Sequence, residues 1–424
     1  MENNTTECIM CGKTFKEHTI YESPLSGHKN HGICLDCLDI LHSINSDTDF
    51  SPMEAITALC QPKPSAKNMK PYEIKEFLDK YVVGQEEAKK ILSVAAYNHM
   101  KRLDMLKNNK ELELDKSNVI MVGPSGSGKT HLIRSLAKLF NVPYAIADAT
   151  TLTESGYVGS DTEVVLQKLY FAAKGDISAA EQGIVFIDEI DKKAAKGKEN
   201  TSITRDVSGE GVQQSLLKLL EGTNVEVQLT GSRKHPYSET VTINTQNILF
   251  IVSGAFPGIE KIIERRTYKK SVNHIGLTES SISVAPTRHG YNELIDQITA
   301  EDLRSFGLIP EFIGRLPVIC PLKQLSEEEL CDILIKPKNA IVKQFSELML
   351  HEDGLILNFT DEALKYIAHS AIEDGTGARG LRARLEKVLL EPMFTCQKKS
   401  KNKTVNITSE YIKKAEGKNI KIAV

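Results

Sequence analysis

The octet Gly123-Pro-Ser-Gly-Ser-Gly-Lys-Thr130 follows directly on the apolar run Asn118-Val-Ile-Met-Val122, and few short segments constrain a fold as tightly. An unbroken apolar run of this kind reads as a strand buried on both faces, as in parallel sheets covered by helices on either side. Glycines at 123, 126 and 128 let the backbone curl until its N–H groups converge on an anion, at the positive end of the helix that follows. The pattern, between a strand and a helix, is that of a phosphate-binding loop. In this reading Gly123, Pro124, Ser125, Gly126, Ser127 and Gly128 cradle the phosphates, with His131 and Leu132 beside them at the opening of the helix. Lys129 neutralises the outer phosphates and Thr130 ligates Mg²⁺. Leu132, Ile133, Leu136, Ala137 and Phe140 give that helix an apolar stripe to lay on the sheet. The competing reading is a glycine-rich turn that binds nothing, and the strand before and the helix after weigh against it.

Binding alone does not need acids at a strand end, but hydrolysis does. Gly183-Ile-Val-Phe-Ile187 is a second buried-strand run, and Asp188 and Glu189 sit where it emerges at the carboxyl edge of the sheet. Asp188 suits Mg²⁺, and Glu189 suits the water that attacks the γ-phosphoryl group. The bland alternative is that the two acids only cap the next segment. Tyr144-Ala-Ile-Ala147 and Asn247-Ile-Leu-Phe-Ile-Val-Ser253 repeat the strand pattern, so an α/β architecture on a parallel sheet with flanking helices is expected. The chemistry expected of it is ATP hydrolysis.

The chain has 424 residues, room for two or three domains, and a formal charge of −3 that argues against a general nucleic-acid footprint. No uninterrupted apolar stretch is long enough to cross a bilayer, and the polar, acidic N-terminus has no apolar core behind it. A cytoplasmic location with no membrane partner is the expectation. Cys8-x-x-Cys11 and Cys34-x-x-Cys37, with 22 residues between the pairs, read as a four-thiolate Zn²⁺ site. A redox pair is the rival reading, and His18, His28 and His31 between the knuckles are expected to be surface or supporting residues.

Composition divides the chain as 1–52 zinc-binding domain, 53–70 linker, 71–318 large ATPase domain and 319–424 small C-terminal domain. The linker contains Gln61-Pro-Lys-Pro-Ser-Ala-Lys-Asn-Met-Lys-Pro71, rich in proline and lysine. Pro71 to Leu106 reads as largely helical with a break at Val82-Val-Gly-Gln85, and the α/β pattern stops near Leu316-Pro317. A capping box at Ser326 and Glu329, a helix start at Thr360 and another after Gly375 mark a largely helical C-terminal domain, with terminal strands near Val405 and Ile420.

Taken in order, the zinc knuckles, the linker, Tyr81-Val-Val-Gly-Gln85, the phosphate loop, Gly156-Tyr-Val-Gly159, Ile187-Asp-Glu-Ile-Asp191, Arg233-Lys-His235, Glu311-Phe-Ile-Gly-Arg315 and Gly377-Ala-Arg-Gly-Leu-Arg382 resemble the ClpX family of AAA+ unfoldases over essentially the whole chain. The resemblance implies an AAA+ phosphate-loop ATPase core, a small α-helical or α+β C-terminal domain, and a treble-clef-like zinc domain in front. It implies a homohexamer that unfolds proteins bearing exposed terminal tags, some delivered by adaptors, and threads them into a ClpP-type peptidase.

Residue by residue, the resemblance makes Arg315 an arginine finger acting on the neighbouring subunit and Arg379 the small-domain sensor that couples nucleotide to a hinge. It gives Val82 and Val83, within a segment reaching Gln85, to the adenine pocket. Gly156, Tyr157, Val158 and Gly159 become the loop that grips substrate, and Ser202 to Gly211 a second loop on the same channel. Arg233, Lys234 and His235 would stand at the channel entrance. Ile275-Gly276-Leu277 stands where the family usually has aliphatic-Gly-Phe for peptidase docking; leucine is still an apolar plug, so this departure weakens the docking inference. The runners-up are an HslU-type ATPase, a stand-alone remodelling ATPase and a zinc-bearing DNA motor.

Overall fold

The computed structural model describes residues 5–8, 14–16, 20–22, 31–34, 69–107, 116–153, 160–194, 209–229, 240–275, 290–395 and 403–417. The readings placed on Cys11, Cys37, Gly156 to Gly159, 201–208, Arg233 to His235, Gly276, Leu277 and Ile420 lie outside these residues. The chain divides into two compact units, 1–65 and 66–424.

In the first unit, β1 (Thr5–Cys8), β2 (Thr14–Lys16), β3 (Ile20–Glu22) and β4 (His31–Cys34) form one sheet in the order β2-β1-β4-β3. β1 runs parallel to β4, with Cys8 in register with Gly32. The first cysteine of each knuckle therefore closes one of two adjacent parallel strands.

The second unit starts with α1 (Pro71–Asp79), whose Pro71 takes the first helical position, where its missing N–H costs nothing. Gly84 and Gln85 both adopt positive φ and turn the chain into α2 (Glu86–Lys107). The phosphate-loop strand β5 (Val119–Val122) leads into α3 (Lys129–Phe140) and β6 (Tyr144–Asp148). A short parallel pair, β7 (Leu152–Thr153) and β8 (Ser160–Asp161), precedes α4 (Val164–Ala172), α5 (Ile177–Ala180) and β9 (Ile184–Asp188). Next come α6 (Glu210–Glu221), the antiparallel hairpin of β10 (Asn224–Gln228) and β11 (Thr240–Asn244), and β12 (Leu249–Gly254). Four helices, α7 (Ile259–Ile275), α8 (Tyr291–Ile295), α9 (Ala300–Phe306) and α10 (Pro310–Gly314), return the chain to β13 (Val318–Pro321).

Five of these strands make the central sheet in the order β13-β5-β12-β9-β6, every pairing parallel. Successive residues point to opposite faces, and both faces are covered, which is why the strands read as unbroken apolar runs. Ile120, Val122, Val185, Ile187, Phe250 and Val252 fill one layer with Leu216 of α6 and Ile263 of α7. Val119, Met121, Ile184, Phe186, Leu249 and Ile251 fill the other with Leu92 of α2 and Leu132, Ile133 and Leu136 of α3.

A third core, of Leu330, Leu334, Ile367, Leu381, Leu385 and Ile407 among others, belongs to the C-terminal part. It is built from α11 (Glu327–Ile335), α12 (Ile341–Asp353), β14 (Leu355–Phe359), α13 (Asp361–Glu373), α14 (Ala378–Thr395), β15 (Lys403–Ile407) and α15 (Ser409–Gly417), with β14 and β15 paired in parallel. The expected capping box is present: Ser326 Oγ accepts the Glu329 N–H at 3.2 Å, and Glu329 Oε2 accepts the Ser326 N–H at 2.8 Å.

Two features differ from the sequence reading. The α/β sheet does not stop at Leu316-Pro317, because β13 adds an edge strand that ends on Pro321, an acceptable proline position only at a sheet edge. The β10–β11 hairpin and β14 escaped notice because their burial is sparse. Val227 and Ile243 are the only fully buried residues of the hairpin strands, too few to print a pattern.

Candidate functional site

The phosphate loop connects β5 to α3 with Gly126 at φ +79° and Gly128 at φ +94°, a region that L side chains avoid. Gly126 also has no room for a side chain, since a Cβ there would stand 2.8 Å from the Thr376 carbonyl oxygen. Lys129 is buried at the head of α3 and its ammonium donates to the carbonyls of Gly123 at 2.6 Å and Pro124 at 2.9 Å. Burial lowers its pKa, the Asp188 carboxylate raises it again, and the Arg379 cation lowers it. A cation held this way, short of hydration, is suited to receive a polyanion.

The acids expected at the end of β9 face that lysine across the sheet edge. Asp188 Oδ2 accepts from Thr130 Oγ1 at 3.3 Å, a pair of hard oxygen donors of the kind Mg²⁺ takes. Asp188 Oδ1 accepts from the Ser253 hydroxyl at the end of β12 and from the Glu189 N–H at 3.0 Å. Glu189 sits at φ +59°, unusual for a residue with a side chain, and such strain is held where a side chain must be aimed. Ser253 was not singled out from sequence. Only its place next to the last residue of a central strand marks it, because parallel strands deliver their carboxyl ends to one edge.

Above the loop lies a cavity of about 350 Å³, lined by Tyr81, Val82, Val83, the loop from Gly126 to His131, and residues of the C-terminal part including Ile341, Ala378 and Arg379. Val82 and Val83 thus line the same cavity as Lys129, Thr130 and Arg379. Pro124 and Ser125 line a smaller neighbouring cavity with Gly375 and Gly377. His131 Nε2 lies 3.2 Å from the Tyr81 carbonyl oxygen. Leu132 is fully buried in the core and is not among the lining residues. Gln85 is not among them either; its amide turns toward the loop and toward Lys323.

Arg315 is elsewhere. It follows α10, is about half exposed, and pairs with Glu221 of α6 at 3.0 Å, while its carbonyl accepts from Asn118 Nδ2 at 3.0 Å. It is not among the residues that line the cavity. The side chains of Cys8, Cys34 and Ile275 lie outside the described residues, together with the loops and knuckle residues named above. No helix among the described residues is long and apolar enough to cross a membrane.

The pocket belongs to two bodies at once, since the loop comes from the sheet while Ala378 and Arg379 come from the separate helical core. A phosphate loop on a parallel sheet, closed over by a helical C-terminal domain, is the arrangement of an AAA+ ATPase. The family described as AAA domain (Cdc48 subfamily) matches residues 114–319, and the C-terminal, D2-small domain of ClpB protein matches residues 325–407. The chain is 48% identical over 408 residues to the ATP-dependent Clp protease ATP-binding subunit ClpX of Borrelia duttonii, covering 96% of this chain and 90% of that one. It is 46% identical to the proteins of the same name from Treponema denticola, over 92% and 91% of the two chains, and from Bacteroides thetaiotaomicron, over 96% and 95%. The chain belongs to the ClpX family, and its AAA domain makes it an ATPase.

Proposed function

We propose that this chain is the ATP-driven unfoldase of a Clp protease, working as a homohexamer that threads tagged or adaptor-delivered proteins into a ClpP-type peptidase in the cytoplasm. The observation that carries the reading is the shared pocket: the Gly377 Cα of the C-terminal part stands 3.3 Å from the position a Gly126 Cβ would occupy, and Arg379 lines the same cavity as Lys129. What happens to phosphates in this pocket is felt by both bodies.

Bound ATP with Mg²⁺ supplies the phosphoanhydride whose cleavage drives the cycle. Lys129 and the loop N–H groups hold the phosphates, Thr130 and Asp188 hold the metal, and Val82 and Val83 pack on the base. Glu189 orients water and accepts its proton. Arg379 reads the nucleotide in its own subunit and moves the hinge between large and small domains. Arg315, outside the pocket of its own chain, reaches the γ-phosphate of a neighbour, so activity requires the ring. Gly156 to Gly159 and Ser202 to Gly211 line the channel, Arg233 to His235 receive the chain terminus, and Ile275, Gly276 and Leu277 dock the peptidase.

Residues 1–52 are read as a Zn²⁺ module on Cys8, Cys11, Cys34 and Cys37, tethered by 53–70 to a large domain that runs through β13 to 321 and a small domain beyond. The parallel register of β1 and β4, which ends both knuckle-bearing strands on one side, supports this. An HslU-type ATPase or a zinc-bearing DNA motor is not favoured, since relatives named ClpX match 92–96% of the chain. The deciding experiment follows a tagged, stably folded fluorescent reporter with ATP, with and without the cognate peptidase. ATP-dependent loss of fluorescence is expected, with fragments only when peptidase is present. Loss of fluorescence that never yields fragments would indicate a stand-alone remodelling ATPase.

A further inference from the structure

The chain leaves the sheet through Leu322, Lys323 and Gln324 on its way to α11, and these residues are the bridge between the two parts that share the nucleotide pocket. Leu322 is tied to the sheet by its N–H, which donates to the Val122 carbonyl at 2.7 Å, at the last residue before the phosphate loop. The next two residues are each held by a side-chain amide from the large domain. Gln85 Nε2 donates to the Lys323 carbonyl at 2.7 Å, and Gln85 Oε1 accepts the Lys323 N–H at 2.9 Å. Asn292 Nδ2 donates to the Gln324 carbonyl at 3.1 Å, and Asn292 Oδ1 accepts the Gln324 N–H at 2.7 Å. Two consecutive residues of a linker are thus gripped in the same way, donor to acceptor and acceptor to donor, as one strand grips another.

The two grips differ in their surroundings. Gln85 is buried and held in the left-handed region at φ +57°, whereas the bonds of Asn292 are exposed. The Gln85 Nε2 also lies 3.3 Å from the Ser127 carbonyl, which accepts from it. That carbonyl belongs to the planar peptide unit whose other end is the Gly128 N–H, so the two groups can only turn together. A phosphate that draws the loop N–H groups toward itself therefore re-aims the acceptor that Gln85 touches. At 3.3 Å the contact has room to tighten or break.

We propose that Gln85 and Asn292 form a two-amide clamp that sets where the interdomain hinge begins, and that Gln85 transmits the state of the phosphate loop to that hinge. The proposal rests on the reading that hydrolysis moves the small domain against the large one. Gln85 is a positioning residue: it acts through Ser127 and Lys323 and does not line the cavity. Asn292 is the passive half of the clamp, holding Gln324 without reaching the loop.

The test uses full-length rings carrying a fluorescence-transfer pair on α9 and α13, read with ADP, with a slowly hydrolysed ATP analogue and without nucleotide. Nucleotide affinity, ATP turnover and reporter unfolding are measured on the same samples. Wild type is expected to change distance with nucleotide. Asn292→Ala should broaden the distance distribution yet keep the nucleotide-dependent shift. Gln85→Ala should lose the shift and unfold roughly fivefold to tenfold fewer reporters per ATP consumed, the effect of one or two lost hydrogen bonds, with nucleotide affinity little altered. Gln85→Glu, close in shape, keeps the acceptor for Lys323 N–H but has nothing to donate to Ser127, and it should behave like Gln85→Ala even if the alanine variant folds poorly. An unaltered shift in both Gln85 variants would overturn the clamp, as would a loss of shift matched by an equal loss of nucleotide affinity. A wild-type distance that ignores nucleotide would instead bring down the hinge reading itself, and the switching role of Gln85 with it.

Discussion

The Ser253 hydroxyl donates to Asp188 Oδ1 across adjacent strands, while Thr130 donates to the other oxygen of the same carboxylate at 3.3 Å. Asp188 is thereby fixed from both sides, and its own Oδ1 also receives the Glu189 N–H. A carboxylate held by several donors stays in place, as a metal ligand must.

Ser253→Ala should therefore slow ATP hydrolysis about tenfold or more, the value of a hydrogen bond to a charged acceptor, and leave nucleotide affinity largely intact. Steady-state turnover beside equilibrium nucleotide binding is the check. Equal falls in both would make the hydroxyl a packing group of the sheet edge.

Glu189→Gln should bind ATP normally and turn it over at a small fraction of the wild-type rate, because the amide keeps the shape and loses the base. Lys129→Ala should instead abolish binding, since the buried ammonium is the main counter-charge in the loop. A Glu189→Gln protein that loses affinity and rate in equal proportion would contradict the assignment.

Arg315 is held at its carbonyl by Asn118 and at its guanidinium by Glu221, outside the cavity of its own chain. Mixed rings of Arg315→Ala and Glu189→Gln subunits should regain part of the ATPase activity that each variant lacks alone, because some sites then combine an intact Glu189 with a neighbour's intact Arg315. No recovery in rings shown to be mixed would leave Arg315 a structural partner of Glu221.

His99, in α2, is buried and neither ring nitrogen finds a hydrogen-bond partner among the described residues. Burial first, then the cations of Arg102 and Lys116, lower its pKa from 6.5 to about 3. Between those values the unfolded chain binds a proton that the folded chain refuses, so stability is complete above pH 6.5 and is lost as pH falls toward 3. His99→Leu removes that penalty, and its advantage over wild type in urea unfolding should grow by up to ~1.4 kcal/mol for each pH unit below 6.5. An advantage independent of pH would mean that the imidazole is protonated in the fold.

Tyr157→Ala should hydrolyse ATP at close to the wild-type rate yet fail on stably folded reporters, while already unfolded chains are affected less, if the aromatic ring only grips what passes. Proportional loss of turnover and unfolding would give Tyr157 a part in the ATPase fold, and unchanged unfolding would take the loop out of the channel.

What the sequence determined by itself was everything whose signal spans a few residues. The phosphate loop is legible because glycine spacing, the preceding apolar run and Lys129-Thr130 are contiguous. β9 with Asp188 and Glu189, and the helix starts at Ser326 and Thr360, are legible for the same reason. Only the tertiary structure decided which of those elements meet. Nothing local tells Ser253 from any other serine at a strand end until β12 lies beside β9. Gln85 reads as one more residue of an adenine-contacting turn, yet its amide is spent on a peptide group 238 positions away. Arg379 could be named from its motif, but its place in the cavity depends on Gly126 and Gly377 being bare enough for two backbones to touch. Periodicity reports which face a residue takes, whereas a hydrogen bond across a large loop exists only after the cores have packed and left the donor no other partner.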